Sequence, residues 1–200
     1  QASQKFCQRQ FFTLLNMCGG CLAIFFSFNN EFLFACTCIL FSAVFDFLDG
    51  FLAKRLNAQS DLGAQLDSLA DMITFGLAPS FVAFNLVFQE DSPKYYLLFL
   101  LLIPINSALR LARFNLKEPT HTTDFIGLPT PANALFIISI SLLFFKYADE
   151  LLIPYLNLIF VAVLSLSSFL MVSKIVFMSF KVKNMTFSAN KHMYILLILV

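Results

Sequence analysis

Four aspartates stand in or beside long apolar runs: Asp46 and Asp49 near the end of one, Asp67 and Asp71 near the start of the next. A charged side chain in a membrane helix costs at least a few kcal/mol, so four of them call for a cationic partner. Asp46 and Asp49 are three residues apart and Asp67 and Asp71 four apart, which puts each pair on one face of its helix. Four oxygen donors converging there suit a hard divalent cation, Mg²⁺ or Mn²⁺, with capacity for two ions. Two ions about 4 Å apart clamp phosphoryl oxygens during in-line displacement. A purely structural alternative pairs the aspartates with Lys54 and Arg55, the cations nearest in sequence. Intramembrane ionisable groups default instead to function.

The elements that must hold these carboxylates are membrane helices. The chain has 200 residues, 59% hydrophobic and only 12% charged, with 27 phenylalanines and a mean hydropathy of +0.80. Soluble domains carry about a quarter charged residues, so most of this surface is built for lipid. A spanning helix needs about 20 apolar residues. Runs of that kind predict spans near 11–29, 32–53, 66–88, 95–112, 132–148 and 154–173, with a seventh starting near 193. The expected fold is an all-α integral membrane bundle of six or more helices, a single domain over 1–200. Open sheet edges in hydrocarbon leave backbone groups unpaired, and the runs are too long for barrel strands. The chain starts at Gln1 and stops inside an apolar run, so trimming at both ends is expected, and no cleavable signal peptide is apparent.

Basic residues set the orientation. Lys5 and Arg9 precede the first span, Lys54 and Arg55 follow the second, Arg113 and Lys117 the fourth, and Lys174, Lys181 and Lys183 the sixth. The positive-inside rule makes these loops cytoplasmic and puts the aspartates at the cytoplasmic end of the bundle. The connection between spans two and three is short enough to make them antiparallel neighbours. A formal charge of +1 offers no case for nucleic acid. Cys7, Cys18, Cys21, Cys36 and Cys38 read as small hydrophobes, because Cys18 and Cys21 lack the second Cys/His pair of a zinc site.

Small residues accompany the carboxylates: Gly50 and Ala53 lie four and seven beyond Asp46, and Gly63 lies four before Asp67. They let a phosphate or a flat group approach the backbone, and they serve helix packing equally well.

Asp46-x-x-Asp49-Gly50-x-x-Ala53-Lys54, then eight residues, then Gly63-x-x-x-Asp67-x-x-x-Asp71 resembles the signature of the CDP-alcohol phosphotransferases, D-x-x-D-G-x-x-A-R, eight residues, G-x-x-x-D-x-x-x-D. One of the eight fixed positions departs: the family arginine is Lys54, which keeps the charge and loses the bidentate fork. Thr74-Phe75-Gly76-Leu77-Ala78-Pro79, Ala108-Leu109-Arg110-Leu111-Ala112-Arg113-Phe114-Asn115 and Phe125-Ile126-Gly127-Leu128-Pro129-Thr130-Pro131-Ala132 are similar to the bacterial phosphatidylserine synthases within that family. So is Phe12-Thr13-Leu14-Leu15-Asn16-Met17 with Gly19 and Gly20.

The resemblance implies that CDP-diacylglycerol and L-serine are the substrates and phosphatidylserine and CMP the products. It implies that Asp46, Asp49 and Asp67 are metal ligands, with Asp71 as base and in contact with the second ion. Gly50, Ala53, Gly63 and Lys54 would line the CDP pocket, and the enzyme would be a homodimer in a bacterial inner membrane. For the acceptor, Arg110 and Arg113 are three apart on one face, and a serine carboxylate needs a cation. Arg113 equally fits a topology signal with lipid headgroup contact. His121 lies in a polar loop where solvated histidines are common. The alternatives are another acceptor, glycerol 3-phosphate or inositol phosphate, and, in a different class, a cation or proton transporter with carboxylates spread through the bilayer.

Overall fold

In the computed structural model, residues 2–56, 61–88, 93–116, 125–147 and 153–177 are described, with the backbone alone at 2–9, 52–56, 61, 125–126, 153–154 and 176–177. The side chains of Ala53 and Lys54, His121, and the expected seventh span all lie outside the described residues.

Among the described residues, six helical spans are long and apolar enough to cross a membrane, so the expected all-α membrane bundle is what the chain forms. The helices are α1 (Ala2–Phe28), α2 (Phe32–Leu56), α3 (Asp61–Asp71), a π-helical segment (Met72–Leu77), α4 (Ala78–Val87), α5 (Tyr95–Asn115), α6 (Thr130–Tyr147) and α7 (Ile153–Val172). The two-residue strands β1 (Phe125–Ile126) and β2 (Val176–Phe177) pair antiparallel outside the spans. Helices α1 and α3 start earlier than their apolar runs, at Ala2 rather than 11 and at Asp61 rather than 66. Polar first turns continue a helix beyond the hydrocarbon, where hydropathy alone does not register them.

The connection from α1 to α2 is a Schellman turn. Asn30 takes the left-handed conformation at φ 61°, Glu31 N–H donates to Phe26 C=O at 2.9 Å and Asn30 N–H to Ser27 C=O at 3.0 Å. Those two bonds satisfy the last carbonyls of α1 and reverse the chain in three residues. Asn85 on α4 donates to the Ser27 carbonyl and, at 2.9 Å, to its hydroxyl, so α4 is pinned to this same end of α1.

The third span, α3 through α4, is the central one: 56% of it is buried, against 28% of each of the first two spans. Phe75, Ala78 and Val82 from it pack with Ala23, Ala35, Ile39, Ala134 and Ile138. Ala83 and Val87 pack with Leu100, Ile103, Ile137, Phe160 and Leu164. Large apolar side chains such as Phe25, Phe41, Phe47, Leu98 and Phe169 are exposed, as lipid-facing surfaces require.

Close approach depends on small residues. A Cβ on Gly20 would lie 2.8 Å from Thr74 Cα, and one on Gly76 would lie 2.9 Å from Ser107 Cβ. Gly19 lies just as close to Ser42. These glycines let α1 and α5 touch the π segment, in the way small residues bring membrane helices together. Because the atom facing Gly20 is backbone, it cannot rotate away. Gly20→Ala is expected to destabilise the protein by about 1–3 kcal/mol, read as a lower thermal midpoint in detergent; an unchanged midpoint would refute this packing account.

Candidate metal and phosphoryl-transfer site

The acidic pairs come from α2 and α3, both of which pack against α1. Asp46, Asp67 and Asp71, all half-buried, each place a carboxylate oxygen within 4.8 Å of the others. Asp49 is not among the three. It is 1% exposed, and its Oδ2 accepts a 2.7 Å hydrogen bond from Thr13 Oγ1 on α1.

Two unit charges 4 Å apart repel by roughly 4 kcal/mol at the effective dielectric of a protein surface. Three such pairs exceed the margin by which a domain is folded, about 5–15 kcal/mol, or use up most of it. The cluster therefore demands protons or a cation. Arg110 feels the field of Asp71, yet its Nη1 donates to Thr130 Oγ1 at 2.8 Å, and one guanidinium does not balance three carboxylates. Hard oxygen donors at this spacing fit Mg²⁺ or Mn²⁺.

Polar groups of α1 hold the carboxylates from behind. Asn16 is fully buried; its Nδ2 donates to Asp71 Oδ1 at 3.3 Å, and its backbone carbonyl accepts from Thr74 Oγ1 at 3.0 Å. Ser68 and Asn115 bond each other at 3.0 Å, joining α3 to α5 beside Asp67. Asp71 immediately precedes the π segment, within which Ala78 N–H donates to Ile73 C=O. Five-residue spacing there changes the helical phase, so Asp67 and Asp71 meet α2 while α4 keeps its own core face.

Thr13, Asn16 and Thr130 drew no individual role from the sequence. The available signal was polar side chains at buried depth: Thr13 and Asn16, three apart in an apolar run, share a helical face.

The structure treats the other expected positions differently from one another. Gly50 is exposed, and a Cβ there would meet nothing within 4 Å, so helix packing does not account for that glycine. Gly63 is buried. Arg110 and Arg113 do not act as a pair: Arg110 turns inward to Thr130, whereas exposed Arg113 donates to Val172 C=O at 3.3 Å, at the C-terminal end of α7. Leu128 N–H meets Leu170 C=O at 3.2 Å. Gly127, at φ +80°, sits where any Cβ would strike the Met171 carbonyl oxygen, so the Gly-Leu-Pro stretch docks on the end of α7. Cys18 and Cys21 are free and exposed on the bundle surface.

Among the described residues, six spans and a carboxylate cluster make a helical membrane protein with a candidate metal site, and the comparison with known families gives its class. Residues 10–180 match the CDP-alcohol phosphatidyltransferase model, and the chain belongs to that family. Its relatives include proteins named CDP-diacylglycerol–serine O-phosphatidyltransferase. That of Helicobacter pylori strain 26695 is 36% identical over 173 residues, covering 85% of this chain and 71% of the relative. That of Bacillus subtilis is 37% identical over 171 residues, covering 84% and 88%. The Methanocaldococcus jannaschii protein is 36% identical over 135 residues, covering 68% and 60%.

If the three carboxylates form a metal site, Asp67→Asn weakens Mn²⁺ binding by about tenfold or more, since ligand charge count sets affinity for hard cations. Titration of purified protein followed by electron paramagnetic resonance reads this directly. Equal affinity in the variant and the parent would remove Asp67 from the ligand set.

Proposed function

We propose that the chain transfers the phosphatidyl group of CDP-diacylglycerol to the hydroxyl of L-serine, releasing CMP. The observation that carries this reading is the convergence of Asp46, Asp67 and Asp71 within 4.8 Å in a chain whose family handles CDP-alcohols. Serine as acceptor is supported by the relatives' names.

Asp46, Asp49, Asp67 and Asp71 hold Mg²⁺ or Mn²⁺, two ions in all, which when bound neutralise the diphosphate. Thr13 fixes the Asp49 carboxylate through Oδ2. Open space beside Gly50 admits the diphosphate close to the α2 backbone, with Ala53, Lys54 and Gly63 completing the CDP side. Asn16 orients Asp71 through its amide. Asp71 takes the proton of the serine hydroxyl as that oxygen bonds to the phosphorus carrying diacylglycerol. The bond from that phosphorus to the bridging oxygen breaks, and CMP leaves with the electron pair. Holding both reactants in line supplies the proximity advantage, and no covalent enzyme intermediate is needed. Arg110 offers its guanidinium to the serine carboxylate, with Arg113 as the second cation. The basic residues flanking the aspartate end support a site on the cytoplasmic side of a bacterial inner membrane.

The test is CMP release and lipid formation from CDP-diacylglycerol with L-serine, glycerol 3-phosphate and inositol phosphate in parallel. Turnover with serine is expected, abolished by chelation and reduced by about a hundredfold or more in Asp71→Asn, the usual scale for loss of a general base. Turnover with a phosphorylated acceptor alone would overturn the serine assignment, and full activity in Asp71→Asn would overturn the base.

A further inference from the structure

The inward face of α6 carries Thr130, Asn133, Ala134, Ile137, Ile138 and Ser141, all buried. Asn133 is fully buried, and among the described residues neither its Nδ2 nor its Oδ1 has a hydrogen-bond partner. An amide buried with both ends unmet costs stability that a leucine of similar size would not. Its residue type therefore needs a reason other than packing.

Its position supplies one. Asn133 lies one turn from Thr130 on the same face, and Thr130 Oγ1 accepts from Arg110 Nη1. Among the described residues, Arg110 Nε is also buried without a partner, and so is Ser107 Oγ, one turn before Arg110 on α5. Ser107 packs against Gly76 of the π segment that follows Asp71. These unmet polar atoms lie on α5 and α6, the two helices that the Arg110–Thr130 bond joins, each within one turn of an end of that bond. They comprise one cation, one amide with donor and acceptor, and one hydroxyl. A phosphorylated acceptor calls for several cations. A zwitterion of zero net charge calls for this mixture, with donors for a carboxylate and a neutral oxygen for an ammonium.

We propose that Asn133, with Arg110 and Ser107, forms the subsite that takes the α-carboxylate and α-ammonium of a zwitterionic amino-acid acceptor, making Asn133 a determinant of acceptor specificity. The inference rests on the serine-transfer reading above and extends it to a residue outside the signature.

The full-length protein and its Asn133→Leu variant, in detergent with CDP-diacylglycerol and Mn²⁺, test it through the KM for L-serine, the affinity for Mn²⁺ with CDP, and the thermal midpoint. Asn133→Leu is expected to raise the serine KM by about tenfold or more, because a site built on hydrogen bonds discriminates through them. CDP and Mn²⁺ affinities should stay within about twofold, and the midpoint should hold or rise as the unmet amide is removed. Asn133→Ala serves if the leucine variant does not fold. An unchanged serine KM would overturn the subsite. So would a fall in midpoint with equal losses for serine and CDP, which marks a structural residue. Failure of the parent protein to use serine while using another acceptor would instead overturn the transfer reading and this inference with it.

Discussion

Negative charge gathered at the edge of a membrane is the constraint around which this molecule is arranged. Three carboxylates within 4.8 Å repel one another by an amount comparable to the stability of a domain. Neighbouring helices orient them, and their closeness demands protons or a cation. Helix α1 is the main support: Thr13 bonds Asp49, and Asn16 bonds Asp71 while its carbonyl receives Thr74. The same helix thereby reaches both acidic pairs, so the register between α2 and α3 is fixed from behind.

That support depends in turn on how closely backbones approach. Gly20 against Thr74 and Gly76 against Ser107 bring α1 and α5 onto the π segment, the stretch that links the carboxylate-bearing turn to the core. In lipid there is no hydrophobic drive between helices, and association relies on such close packing and on interhelical hydrogen bonds. Ser68 with Asn115 and Asn106 with Ser168 are bonds of this kind. A π segment immediately after an acidic pair is a recurrent way to aim functional side chains, and here it frees α4 to pack without pulling Asp71 from α2.

Much of the fold was legible because a membrane imposes one rule on every span: about 20 apolar residues in a helix. Six expected runs correspond to six helical spans. The errors fall at the ends, where Gln4, Lys5, Gln8 and Arg9 before the first run continue α1 to Ala2, and Asp61 and Gln65 belong to α3. Hydropathy measures the hydrocarbon slab and not the helix. The π segment was invisible for a related reason: Met72–Leu77 is as apolar and helix-compatible as its neighbours, and its extra residue per turn reflects a tertiary compromise.

For the site, the sequence by itself determined which acidic residues share a helical face and that they need a cation, because three- and four-residue spacings are properties of a single helix. It also contained the motif by which the family is identified. Only the tertiary structure decided that Asp46, Asp67 and Asp71 meet while Asp49 turns to Thr13, that Asn16 stands behind Asp71, and that Arg110 and Arg113 part company. Those outcomes depend on the distance and rotation between helices, set by glycine contacts and hydrogen bonds among residues 20 to 59 positions apart. No local spacing encodes them.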